Sequence, residues 1–140
     1  MSFLLKHLKH AYAIEQALEF FQEKVVILRF GIESDIGCME IDELLYNIEP
    51  KLAKFAVIYA IDLEEVSDFT EVYELYSTYN IMFFFRNKHI QVDCGSGDNT
   101  KIDFSITEEE EFIAIVELVY EAGLKGRGLA VAPKQYSRRE

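Results

Sequence analysis

Apolar residues recur along this chain in blocks whose spacing switches between two periods. Ile14, Ala17, Leu18 and Phe21 keep the i, i+3, i+4, i+7 spacing of an amphipathic helix. The run Val25-Val26-Ile27-Leu28-Arg29-Phe30, closed by Gly31, is β-branched and short, as a buried strand should be. Helical spacing returns with Ile41, Leu44, Leu45, Ile48 and Leu52. Asp35 stands where its carboxylate would cap the first turn. Phe55–Ile61 predicts a second buried strand ending at Asp62. A short helix follows, capped by Ser67 or Asp68, with Phe69, Val72, Tyr73 and Tyr76 on one side.

Two further apolar runs, Ile81–Arg86 and His89–Asp93, bracket Asn87-Lys88. This predicts a hairpin, because Asn tolerates the positive φ of a tight turn. Gly95–Ser105 is rich in Gly, Asp, Asn and Ser and predicts a surface loop. Thr107 and Glu110 have capping-box spacing and would open a last helix with Phe112, Ile115, Val116 and Val119 on its core face, stopping by Gly123 or Gly126. The order α-β-α-β-α-β-β-α combines parallel crossovers with one antiparallel hairpin. That is the thioredoxin-like α/β arrangement: a four-stranded mixed sheet flanked by helices on both faces. One domain over residues 1–123 is expected, followed by a basic tail over 124–140 that does not help to hold the domain together.

The 140 residues suit a single core, and with half of them apolar, disorder over most of the chain is excluded. No apolar run is long enough for a membrane span. The opening Met1-Ser2-Phe3-Leu4-Leu5-Lys6-His7 is charged too soon for a signal peptide and lacks the glycine that myristoylation needs, so an intracellular protein with no membrane partner is expected. The net charge of −11 is unevenly spread. Residues 124–140 hold Lys125, Arg127, Lys134, Arg138 and Arg139 against Glu140 alone, a net of +4, leaving −15 on the rest. An acidic body repels a phosphate backbone, whereas the basic tail could meet RNA or an acidic protein face.

A working thioredoxin carries C-x-x-C at the start of the helix after its first long strand, where the helix dipole and free amides favour a thiolate. Here that stretch reads Asp35-Ile36-Gly37-Cys38, and a carboxylate occupies the position of the attacking sulfur. The cis-proline that faces such a motif is also missing: Tyr79 and Asn80 stand there, and the two prolines are Pro50 and Pro133. Asp35, Cys38 and Asn80 are thus degenerate redox positions. Cys38 and Cys94 read as small buried apolar residues, with a lone-thiol redox sensor or thiol-disulfide oxidoreductase using Cys38 as the alternative function. Nothing in the sequence predicts a bridge between them.

Other chemical signals are slight. His7 and His10 have no matching third ligand nearby, so no metal is expected. Glu108–Glu111 reads as the acidic first turn of a helix. Gly95-Ser96-Gly97 lacks the Gly-Lys-Ser/Thr ending of a phosphate loop. Phe83-Phe84-Phe85 reads as a central strand buried on both faces, not as a base-stacking surface. The basic-type tip Arg86-Asn87-Lys88-His89, on an acidic body, is a candidate partner contact. So are Lys125, Arg127 and Tyr136 of the tail.

The string Met82-Phe83-Phe84-Phe85-Arg86-Asn87-Lys88-His89-Ile90 closely resembles the Dim/Dib family, the fifteen-kilodalton thioredoxin-like proteins of the U-five small nuclear ribonucleoprotein. Arg29-Phe30-Gly31, Cys38-Met39, Asp42-Glu43, Leu45-Tyr46, Phe55–Tyr59, Tyr73–Tyr76 and the ending Lys125–Leu129 with Pro133-Lys134 and Tyr136 agree in the same order. The chain departs from the family at Ser34, where an aromatic is usual, and at Ile36, where Asp-Pro-x-Cys is usual. The resemblance implies a nuclear protein of pre-mRNA splicing with a link to cell division. It implies a monomer within the tri-snRNP and the pre-activation spliceosome, wedged between the large U-five scaffold protein and neighbouring tri-snRNP proteins and close to small nuclear RNA. Such a protein acts as a placeholder that leaves before the catalytic centre forms. It implies no cofactor and no catalysis. An adaptor outside splicing, built on the same scaffold, is the remaining alternative.

Overall fold

In the computed structural model, which describes residues 5–133 and residue 136, one fully buried strand organises the sheet. This strand, β2 (Val25–Gly31), follows β1 (Lys6–His7) and α1 (Ala11–Phe20). After it come α2 (Ile36–Leu52), β3 (Ala56–Asp62), a 3-10 turn (Leu63–Glu65) and α3 (Ser67–Tyr73). The chain continues through β4 (Tyr79–Phe85), β5 (Lys88–Asp93), α4 (Glu109–Leu124) and β6 (Leu129–Val131). The sheet order is β1-β3-β2-β4-β5-β6. Strand β2 runs parallel to β3, from Val25 opposite Ala56 to Gly31 opposite Asp62, and antiparallel to β4, from Val25 opposite Phe85 to Gly31 opposite Tyr79.

Because side chains alternate along a strand, β2 feeds two cores. Val25 and Ile27 join Phe83, Phe85 and Ile58 beneath α2 and α4, whose Leu45, Ile48, Phe112 and Val116 are buried. Val26, Leu28 and Phe30 join Met82 and Phe84 beneath α1, where Ile14 and Leu18 cover them. The three consecutive phenylalanines therefore split between the two faces, as the sequence predicts. Each such buried side chain contributes about 1.5–3 kcal/mol. The four central strands with helices on both faces are the thioredoxin arrangement.

The sheet has six strands, not the expected four. Two-residue β1 pairs parallel with β3 through Lys6 and His7. At the other edge, β6 pairs parallel with β5, Gln91 opposite Leu129 and Asp93 opposite Val131. Residues 129–131, expected in a tail outside the fold, thus belong to the sheet. Ala130 and Ala132 are buried while Leu129 and Val131 face outward. The strand period is present, but its inward residues are alanines, too small to register as an apolar stripe. Lys134, Arg138 and Arg139 lie outside the described residues.

Local chemistry moves several other boundaries. The hairpin turn is Arg86-Asn87, not Asn87-Lys88. Arg86 and Asn87 have φ of 53° and 62°, and Lys88 already pairs with Phe85. Positive φ at both central residues gives the turn whose twist matches the strands. Helix α3 is capped by Val66 and not by Ser67 or Asp68, with no side-chain cap bond. Helix α4 is capped by Glu108, one residue past Thr107, so the expected capping box does not form. Glu109, Glu110 and Glu111 in its first turn answer the dipole instead. The expected surface loop Gly95–Ser105 is superficial only in its first half. Ile102 exchanges both backbone bonds with Ile81 at 2.9 Å, and Ile102 and Phe104 are buried.

The tail's anchorage is measurable. A chain ending at Gly126 loses β6, two buried alanines and the packing of Tyr136 on Phe104. We expect that truncation to lower the unfolding free energy by about 1–3 kcal/mol, after the entropy of ordering the segment offsets part of the gain. Urea denaturation of the two chains checks it, and an unchanged midpoint would show that the strand contributes nothing.

Candidate functional site

Helix α2 begins where a thioredoxin keeps its dithiol. Asp35 stands just before it in extended conformation, and its carboxylate accepts the Cys38 backbone N–H at 3.0 Å. That bond consumes one of the free amides that would stabilise a thiolate. Cys38 itself has no exposed surface. Burial pushes its thiol up to about 12; Arg29 pulls the other way, while Asp42, Asp35 and Glu33 push further up. Cys94, at the end of β5, is also buried, and burial followed by Asp93 pushes it up to about 11. Both are free thiols. Opposite Asp35, the peptide bond before Asn80 is trans. Asn80 is buried, and its Nδ2 donates to Ser77 O at 3.0 Å and to Phe30 O at 3.4 Å. It ties the turn before β4 to the end of β2.

Beneath this site lies a polar network that the sequence reading did not assign. Arg29, in the middle of β2, and Asp42, on α2, are both inside the core at 0% and 1% exposure. The guanidinium donates to the Asp42 carboxylate through Nε at 2.7 Å and Nη2 at 2.9 Å, and through Nη1 to Ile61 O on β3 at 3.2 Å. Glu33 approaches the same guanidinium at 3.8 Å and pairs with His7 Nε2 at 2.7 Å. Burial pushes the Asp42 carboxyl upward, and Arg29 opposes that shift. Gly31 is required here: a Cβ at that position would fall 2.6 Å from Cys38 Sγ and 2.8 Å from Arg29 Nη1. The available sequence signal was a lone cation inside an otherwise apolar strand, matched by a lone acid on the core face of the next helix.

The candidate partner contacts do not all converge. Arg86 and Lys88 of the hairpin and Lys125 and Arg127 after α4 rim one groove whose floor is Phe85, Ile90 and Leu124. Arg86 Nε donates to Gln22 O at 2.9 Å, and its guanidinium sits 4.8 Å from the centre of the Phe85 ring. Asn87 faces α1 instead, beside Tyr12, Glu15 and Glu19. His89 is half-buried against Phe84 and Tyr73, with Nε2 3.1 Å from Thr100 O, and burial pulls its imidazole below the usual range. Tyr136 stacks on Phe104 and donates its hydroxyl to Glu111 at 3.0 Å. Of the two other histidines, His7 joins the Arg29 network through partly exposed Glu33 and His10 caps α1 through Nδ1. Among the described residues, no group of three or more His, Cys, Asp or Glu could hold a metal ion, and no helix is long and apolar enough to cross a membrane.

Fold and site together define a thioredoxin-like domain without a dithiol. Solved structures agree on the fold: a Schistosoma mansoni thioredoxin aligns over 81% of this chain and 95% of its own with a TM-score of 0.62, at 16% identity. A Halobacterium salinarum thioredoxin aligns over 80% and 87% with a TM-score of 0.63, at 11% identity. Within that class, the chain belongs to the DIM1 family, whose model, described as Mitosis protein DIM1, matches residues 4–136. It is 44% identical to the Schizosaccharomyces pombe Mitosis protein dim1 over 99% of this chain and 98% of that protein. It is 40% identical to the Saccharomyces cerevisiae Spliceosomal protein DIB1 over 99% and 96%. With human Thioredoxin-like protein 4B it shares 33% identity over 95% and 89%.

Two measurements follow from this geometry. Native protein treated with a thiol reagent at neutral pH should label Cys38 and Cys94 only at the rate of unfolding, since each thiol is buried and protonated. Fast stoichiometric labelling in buffer would contradict the burial. Asp42→Leu alone leaves Arg29 charged in the core, at an expected cost of about 3–5 kcal/mol, while Arg29→Met with Asp42→Leu should recover most of it. A double-mutant cycle in denaturant reads the coupling, and additive losses would refute it.

Proposed function

We propose that this chain acts in pre-mRNA splicing as a non-catalytic protein component of nuclear splicing particles. It sits in the tri-snRNP and the pre-activation spliceosome as a monomer, between the large U-five scaffold protein and its neighbours. The observation that carries this reading is Asp35. In a member of a family whose yeast representative is named a spliceosomal protein, the attacking sulfur of the ancestral-type site is replaced by a helix cap. Cys38, the one remaining sulfur of the motif, is sealed beneath it.

Without a reaction to perform, the domain offers surfaces. Its core is tied by the Arg29 network and its tail is stitched to the sheet, so it enters and leaves an assembly as a preformed body. That suits a placeholder, which must fit several partners at once and depart without unfolding. No observation favours the thiol-enzyme reading over this one.

Affinity purification of the tagged full chain from native nuclear extract tests the proposal. The expected result is co-recovery of tri-snRNP proteins and small nuclear RNAs, with no insulin reduction by the purified chain. Recovery of neither proteins nor RNAs would sink it.

A further inference from the structure

Hairpin and tail are far apart in sequence, yet the fold sets their cations around one groove. Lys88 Nζ donates to Gly126 O at 3.4 Å, and its stem lies over Gly128, where an added Cβ would come within 3.5 Å of Lys88 Cε. The hairpin and the turn after α4 are thereby held together. Helix α4 can approach β4 this closely because residue 123 is glycine: a Cβ there would meet the Phe85 ring at 2.5 Å. The turn uses up local carbonyls, as Lys125 N, Gly126 N and Arg127 N donate to Ala122 and Gly123 O. What remains exposed is cationic. Among the described residues no carboxylate pairs with Lys88, Lys125 or Arg127, no acid lines the groove, and Leu124 is 47% exposed on its floor.

We infer that this groove binds an acidic protein segment carrying an apolar side chain, the carboxylates meeting Lys88, Lys125 and Arg127 and the apolar group resting on Leu124. Charge complementarity selects an anion, because the groove is the basic exception on a body of net −15. The apolar floor selects a peptide over RNA. Base stacking needs an open aromatic face, but Phe85 is 2% exposed and Arg86 already covers its ring. The inference rests on the reading of this chain as an assembly component and names the chemistry of one partner.

Fluorescence anisotropy with the full chain tests it. The probe is a labelled twelve-residue peptide of glutamate and aspartate with one central leucine, at low salt. Its comparators are the same peptide with serine for leucine and a twelve-nucleotide oligouridine RNA. Saturable peptide binding is expected, weakened by salt and by at least about tenfold in Lys125→Glu/Arg127→Glu. Leu124→Ser should weaken the leucine peptide and not the serine one. Lys88→Gln provides an independent cation variant, and thermal melts confirm that each variant is folded. Absence of saturable binding, oligouridine binding as tight as the peptide's, or indifference to all three variants would overturn the inference. If the chain still recovers splicing particles from extract while the peptide does not bind, the acidic-segment inference falls and the assembly role stands.

Discussion

The buried ion pair between Arg29 and Asp42 is the constraint on which the domain is built. It joins β2, α2 and, through the Ile61 carbonyl, β3. A bidentate guanidinium–carboxylate contact has one productive geometry. It sets the height of α2 over the sheet and hence where Asp35, Gly37 and Cys38 come to rest. The desolvation of both charges is severe and offsets much of their attraction, so the intact pair adds little net stability. Gly31, which admits the guanidinium and the Cys38 sulfur side by side, is part of the same constraint.

Around that core the molecule divides its surface by charge. The end where a thioredoxin keeps its dithiol is acidic: Glu40, Glu43 and Glu109 line a groove with Ile41, Leu44 and Ile106, and Lys51 pairs with Glu109 at 2.9 Å. The opposite end of β4 carries the cations of the hairpin and the post-helical turn. The two ends are separated by the length of the central strands.

Much of this was legible beforehand. Long runs with clean periods, such as Val25–Phe30 and the Phe112–Val119 stripe, overdetermine their elements, and the carboxylate at Asp35 announced both the cap and the missing dithiol. What escaped notice was whatever depends on contacts between distant segments. Two-residue β1 carries no pattern of its own and exists because the edge of β3 offers it backbone partners. The Arg29–Asp42 pair needed the crossing of strand and helix to be known. Turn placement at Arg86-Asn87 was decided by the ladder's register and by the hold of Gln22 O on the arginine, not by asparagine's tolerance alone. Lys88, Lys125 and Arg127 were each noticed, but nothing linear brings them together.

The two short edge strands have a consequence for how the protein behaves in a crowded solution. A sheet with open, long outer strands presents rows of unused N–H and C=O groups on which another chain can add itself. Here one side finishes on the two residues of β1 and the other on the three of β6, with Pro133, which has no N–H to offer, two residues beyond it. Strand β5, flat and apolar at Ile90 and Val92, would otherwise be the terminus. β6 pairs with Gln91–Asp93 of it, so the outer edge on that side is only three residues long.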